Sequence, residues 1–367
     1  MSNNPTQPAA ASSERRLFVG HWPHLRARDS VPKIMWSVAA ALVPALVASG
    51  YFFGFRAYLH VGLAVATAVI TEAVITRLRH KKATVGDGSA VVTGLLVAFC
   101  LPAQARWFVP IVAAFVAIAI AKQCFGGLGA NIWNPALVGR AFVHFSFPEM
   151  NVSSYPLLTG QHFLGNVGTF ISGVPERVDA ISGATPMAHL KAIATGQTDA
   201  ASVLSEKLPG LWDMLLGRIG GSLGETSALL LILGALYLIY KGWVRWQIPV
   251  AYLATVALGA LALPLRFEAG WHPILTASPD LAARYVTYHL LGGGLMLGAF
   301  FMATDMVTSP LTNKGMLLFG FGCGALTILI RLYGGYPEAV CYSILLMNTV
   351  VPLIDRWTQP RIFGHKK

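Results

Sequence analysis

The chain has 367 residues, of which 55% are hydrophobic and only 12% charged, where a soluble globular domain carries about 25% charged residues. With a mean hydropathy of +0.59, that composition excludes an ordinary soluble enzyme and predicts an all-α polytopic membrane protein. The net charge of +11 requires no nucleic-acid partner, because Lys and Arg gather at the ends of apolar segments, where they orient membrane helices.

Residues 1–32 form a polar tail with no apolar core followed by a small-residue cleavage site, so the tail is expected to be retained and cytoplasmic. A span needs about 20 apolar residues, or fewer where the helix is broken. Ten candidates follow. Five lie in a first block, 33–147, at 34–55, 57–78, 90–101, 107–121 and 133–147. The third is too short for a plain crossing and lies between Gly86-Asp87-Gly88 and Pro102, which predicts a broken or re-entrant element. A polar loop, 148–224, separates this block from a second, 225–354, with candidates at 225–240, 248–263, 289–304, 316–331 and 339–353. Residues 355–367 are a basic tail. With the N-terminus inside, Lys33, Arg77, Lys122, Lys241 and Arg356 all fall on the cytoplasmic side, and the 148–224 loop on the far side.

The two blocks resemble each other. Gly126-Gly127-Leu128 precedes the fifth helix and Gly334-Gly335-Tyr336 the tenth; Thr93-Gly94-Leu95-Leu96 opens the third element and Gly293-Gly294-Leu295-Met296 falls inside the eighth. Five helices per block make the second copy enter from the opposite side, giving two inverted five-helix repeats with broken helices. Such repeats enclose a site near the midplane, and the segments 86–102, 126–136 and 304–315 are candidates for it.

Within 126–136, glycine permits close backbone approach to a flat ligand. Asn131 and Asn134 offer amide donors and acceptors suited to the edge of a flavin ring. Asn134 also stands before Pro135, where an N-cap belongs. Glu72 inside the second helix needs a partner or water, and no Lys or Arg is evident for it. Arg140, in the fifth helix, suits a flavin phosphate, a quinone-like group or an acidic neighbour. Asp305 suits a cap or an ion route. Cys100, Cys124, Cys323 and Cys341 contain no C-x-x-C pair and read as buried inert thiols. No G-x-G-x-x-G after a strand, no P-loop and no H-E-x-x-H occurs, so neither NAD in a Rossmann site nor ATP is expected here.

The long loop carries Asp179-Ala180-Ile181-Ser182-Gly183-Ala184-Thr185, followed by Pro186. Ser182, Gly183 and Ala184 are small enough to enter a foreign active site, and Asp179 is placed to orient the incoming group. This spacing resembles the site at which a flavin transferase links FMN, through its phosphate, to a threonine hydroxyl. On a multi-helix membrane scaffold that site is found in the B subunit of the sodium-pumping NADH:quinone oxidoreductase and the D subunit of the Rnf complex. Further runs are similar to the Rnf D subunit, including Pro23-His24-Leu25-Arg26, Asn131-Ile132-Trp133-Asn134-Pro135-Ala136, Met302-Ala303-Thr304-Asp305 and Arg331-Leu332-Tyr333-Gly334-Gly335-Tyr336-Pro337-Glu338. Met306 and Ala339 depart from the expected small or helix-breaking residues, while the short N-terminal tail favours Rnf.

The resemblance implies a subunit of an ion-translocating ferredoxin:NAD oxidoreductase in a bacterial inner membrane. It would have covalent FMN on Thr185 in a periplasmic loop and a second, non-covalent flavin, riboflavin, between the repeats. Its implied partners are the other Rnf subunits, especially the other covalent-flavin subunit and the small membrane subunits, and a flavin transferase for maturation. Two other readings stay open: the quinone-reducing sodium-pump subunit, and a urea-channel-like transporter without redox activity.

Overall fold

A computed structural model describes residues 29–80, 85–103, 105–147, 185–196, 208–217, 221–225, 227–267, 270–276, 279–336 and 338–360. Asp179, Ser182, Gly183 and Ala184 lie outside the described residues, as do most of the 148–224 loop and nearly all of the N-terminal tail. Residues 31–367 make one compact unit.

The first block begins with two long apolar helices, α1 (Val31–Phe53) and α2 (Phe55–Leu78). A tight turn, Val85–Asp87, leads into α3 (Ser89–Phe99), almost every residue of which is buried. α4 (Phe108–Val116) runs on as a π-helical stretch, Ala117–Gln123. α5 (Pro135–Ser146) starts as its sequence predicts: Pro135 occupies the first turn, and the Asn134 side chain accepts from the Ala136 N–H at 3.0 Å.

Among the described residues two short helices follow, α6 (Pro186–Ala194) and α7 (Leu211–Leu216). The second block holds α8 (Ala228–Tyr240), α9 (Gln247–Ala262), α10 (Pro279–Leu291), α11 (Leu295–Leu297, continued by a π-helical Gly298–Met302), α12 (Asn313–Tyr333) and α13 (Val340–Trp357). Between α9 and α10 a two-stranded antiparallel hairpin pairs β1 (Pro264–Phe267) with β2 (Gly270–Pro273). An all-α reading missed this hairpin, whose strands are only four residues each.

The eighth apolar element also differs from expectation. It begins ten residues earlier than the predicted 289, at Pro279, and bends by 59° between Leu291 and Leu295. Polar Arg284, Tyr285 and His289 hide its first half from a hydropathy reading. Gly293 and Gly294, both at φ +65°, make the bend; only glycine adopts that left-handed conformation without steric cost. Among the described residues three helices, α1, α2 and α12, are long and apolar enough to cross a membrane, and the bent α10–α11 pair makes a fourth.

Helices meet through small residues, as in lipid-embedded bundles. A Cβ on Gly94 would lie 2.7 Å from the Val65 Cα, and one on Gly139 would lie 2.3 Å from the Ala113 carbonyl oxygen. Glycine therefore sets the α3–α2 and α5–α4 distances. In the second block, Tyr252 on α9 meets Thr327 on α12 at 2.7 Å and Ser343 on α13 at 3.0 Å, a buried triangle of hydroxyls closed by Thr327 and Ser343 at 2.7 Å.

Candidate functional site

A pocket at one end of the 295–302 helix is lined mostly by apolar side chains, among them Phe300 and Phe301; its polar lining comes from Ser89 and Thr93 of α3, Lys122 of the α4 π-stretch, Asn131 and Asn134 before α5, and Thr304 and Asp305. π-Helical segments contribute to both walls. A π-turn shifts the register of the side chains that follow and recurs at functional sites.

Lys122 is buried and fully satisfied. Its ammonium donates to both Glu72 carboxylate oxygens, at 2.9 and 2.8 Å, and to the Ser89 hydroxyl at 2.6 Å, using all three N–H donors. Lys122 is thus a buried ion-pair member, and it supplies the partner that Glu72 lacked in sequence. The pairing spans 50 residues, so no local pattern announces it. Gln123 also reaches Glu72, at 3.4 Å.

Asn134 caps α5 and donates through Nδ2 to the Met302 carbonyl at 3.1 Å, tying the first block to the second. Asn348 of α13, with its amide assigned to satisfy both ends, accepts from the Asn134 N–H at 3.1 Å. Asn131 is different. Its Nδ2 donates to the Trp133 carbonyl at 3.3 Å, but its Oδ1 is buried with no hydrogen-bond partner among the described residues. A buried acceptor left unpaired costs about 1–3 kcal/mol, so the pocket offers a ligand N–H a partner at Asn131. Asp305 closes a turn, accepting from the Thr308 hydroxyl at 3.2 Å and the Val307 N–H at 3.5 Å. Asp305 therefore caps no described helix, since Thr312 is the N-cap of α12; it closes this turn and lines the pocket.

Arg140 does not belong to this pocket. From the middle of α5 it pairs with Glu338. Of the three partners considered for it, the acidic neighbour is the one the fold provides. Among the thiols, Cys100, Cys323 and Cys341 are buried, whereas Cys124 is exposed, contrary to the reading of all four as buried.

Thr185 is the N-cap of α6, its hydroxyl accepting from the Ala188 N–H at 3.3 Å, and only 5% of its surface is exposed. α6 docks on the broken element of the second block. A Cβ on Gly293 would come within 2.9 Å of Met187 Cγ. Lys191 donates to the Gly334 carbonyl, at the end of α12, at 2.6 Å, a favourable place for a cation. Burial holds the Lys191 ammonium below its ordinary pKa. From the other side, Arg331 of α12 donates to the carbonyls of His289, Gly292 and Gly293 at 2.6, 2.9 and 3.3 Å. The attachment-motif threonine is thus carried on a helix seated against the α10–α11 break, away from the Asn131 pocket.

The family described as NQR2, RnfD, RnfE matches residues 18–364. The chain is 45% identical over 358 residues to the D subunit of the Na(+)-translocating ferredoxin:NAD(+) oxidoreductase complex of Acetobacterium woodii, covering 97% of this chain and 98% of that one. It is 44% identical over 360 residues to the D subunit of the proton-translocating ferredoxin:NAD(+) oxidoreductase complex of Clostridium ljungdahlii, covering 98% and 100%. It is 40% identical to the D subunit of the ion-translocating oxidoreductase complex of Stutzerimonas stutzeri, covering 92% and 93%.

Proposed function

The chain belongs to the NQR2, RnfD, RnfE family, and from that premise we propose that it is the D subunit of an ion-translocating ferredoxin:NAD oxidoreductase. The end-to-end likeness to subunits of that name carries the reading. It favours this role over the quinone-reducing subunit of the sodium pump and over a channel without redox chemistry. The coupling ion is not selected, since relatives of nearly equal identity are named for Na+ and for protons.

On this reading α1–α5, α8, α9, α10 with α11, α12 and α13 enter the bilayer as two inverted repeats, 33–147 and 225–354. Lys122 stands four residues before Gly126-Gly127 and Arg331 three before Gly334-Gly335. Each holds its own block's interrupted element, Lys122 through Ser89 and Arg331 through the Gly292 and Gly293 carbonyls. Matching latches in opposite halves support the inverted arrangement. The tails 1–32 and 355–367 are then cytoplasmic, and the 148–224 segment lies outside the bacterial inner membrane. Alkaline phosphatase fused near Gln197 is expected to be active and fused at His365 inactive; the reverse pattern rejects this topology.

We further propose FMN esterified to Thr185 and a non-covalent flavin, riboflavin, in the Asn131 pocket. The residues fit both groups. An ester on the Thr185 hydroxyl places the phosphate at the N-terminus of α6, where helix dipole and backbone N–H groups favour an anion. Bound flavin supplies the electron-carrier chemistry that no side chain here possesses. In the pocket, Asn131 Oδ1 is the acceptor for a ring N–H. Asn134, already bonded at both ends, holds the α5 N-terminus against Met302.

Asn131→Leu is expected to lower acid-extractable flavin per subunit by at least about tenfold, the weight of one buried hydrogen bond. Retention of covalent flavin on Thr185 in the same variant serves as the control for folding. Wild-type protein with no extractable flavin rejects the pocket assignment, and unchanged flavin in Asn131→Leu moves the site elsewhere.

A further inference from the structure

α8 presents two unlike faces. Leu231, Ala235 and Leu238 are buried, and the helix lies so close to α1 that a Cβ on Gly234 would come within 2.4 Å of the Ala41 carbonyl oxygen. Leu229, Leu233, Leu236, Tyr237 and Tyr240 are exposed, and their spacing puts them on one stripe. At 1.5 Å per residue that stripe runs about 16 Å, close to the hydrocarbon depth of one bilayer leaflet, about 15 Å. An apolar stripe of that length suits an acyl chain.

The stripe ends in a cluster of cations and aromatic rings, which the turn after α8 builds. Gly242, at φ +75°, closes the helix. Its N–H donates to the Ile239 carbonyl at 2.9 Å, and the Trp243 N–H donates to the Leu238 carbonyl at 3.1 Å. This pair of bonds is a Schellman motif, and it folds Trp243 back along the helix. The Trp243 and Tyr237 rings stand edge to face, with centroids 6.4 Å apart. Lys33 of α1 places its Nζ 6.0 Å from the Trp243 ring centroid, and Lys241 places its Nζ 5.9 Å from that of Tyr237. Such contacts hold an ammonium in place without neutralising it. Arg245 and Trp246 follow, both exposed. α9 then begins at Gln247 with no side-chain cap, so its dipole adds to the positive potential.

The segments that build this cluster hold no acid to balance it. α1 contains no Asp or Glu, and neither does the stretch 226–267. Set against Asp29, two residues before α1, the cations Lys33, Lys241 and Arg245 still leave a surplus of two positive charges.

We propose that Lys33, Lys241 and Arg245, with Tyr237, Tyr240 and Trp243, bind the phosphate headgroup of an anionic phospholipid whose acyl chain lies along the exposed stripe of α8. Charge complementarity selects an anion. The apolar stripe leading into the cluster selects a lipid over free phosphate or an acidic protein surface. Tyr and Trp at the edge of a bilayer sit at headgroup depth, and each Lys or Arg near an anionic membrane surface adds to the attraction. The proposal rests on membrane insertion and not on the flavin assignments; on the topology above, the leaflet is the cytoplasmic one.

The test uses the intact complex in neutral detergent, with native mass spectrometry reading the lipid bound as dioleoylphosphatidylglycerol or dioleoylphosphatidylcholine is titrated in. The anionic lipid is expected to bind at least about tenfold more tightly, and Lys241→Gln with Arg245→Gln to erase that preference. Lys241→Arg with Arg245→Lys keeps the charge and should keep the preference. Equal binding of the two lipids by the wild type shows an unselective annulus and overturns the proposal. So does a preference that survives in the Gln variant, even where that variant loses a neighbouring subunit, which would assign the cluster to an acidic protein surface. Glycerol 3-phosphate competing as well as the whole lipid would make this a site for free phosphate and equally overturn it. Where the Gln variant fails to insert, a photoactivatable phosphatidylglycerol decides on the wild type: adducts within 229–246 uphold the site, and adducts confined to other segments overturn it. A complex without ferredoxin:NAD activity defeats the functional reading above and leaves this measurement standing.

Discussion

Thr185→Ala will leave the protein with no covalently bound flavin, visible as the loss of in-gel fluorescence after denaturing electrophoresis. The effect is all or none, because Ala offers no oxygen for a phosphoester. The variant also loses the N-cap of α6, a cost of about 1 kcal/mol, small enough for the protein to insert and accumulate. Thr185→Ser separates the two roles: it keeps both cap and nucleophile and should retain fluorescence. Fluorescence persisting in Thr185→Ala sinks the assignment. The Thr185 hydroxyl caps α6 and is nearly buried, so on this reading a transferase would reach the segment before α6 docks. Cells lacking the transferase should therefore yield folded protein that is dark in the gel.

Separating Glu72 from Lys122 is expected to damage the fold more than any single core truncation in α2. Either Glu72→Gln or Lys122→Met leaves the other charge buried and uncompensated, a loss of about 3–5 kcal/mol in a protein whose net stability is of order 5–15 kcal/mol. The double variant removes both charges and should recover most of that loss. The measurement is a double-mutant cycle on thermal unfolding midpoints of detergent-solubilised complex. Additive losses, with no recovery in the double variant, would show that the pair is not an energetic unit. Lys122 also lines the Asn131 pocket, so both single variants should lose extractable flavin along with stability.

Much of the architecture was legible in the residues because its causes are local. Apolar runs located α1, α2 and α12 within a few residues, and Asn134-Pro135 announced the start of α5. Pro186, directly after the motif, occupies the first turn of α6, and Thr185 is the cap before it. The β1–β2 hairpin escaped because two four-residue strands carry too little alternation to register. The start of α10 escaped because a helix whose polar face packs against protein does not look like a lipid-facing span.

Composition and motif spacing alone determined that this chain is a helical membrane protein, and pointed to its family and to Thr185 as the residue to examine. These are properties of short windows, in which period, length and residue type act directly. The partners of the charged residues were decided only by tertiary structure. Lys122 meets Glu72 across 50 residues, Arg140 meets Glu338 across 198, and Glu225 is left with Ser222 alone among the described residues. A carboxylate and an ammonium carry the same charges wherever they stand in the chain. Which of them end in contact with each other depends on how the helices pack.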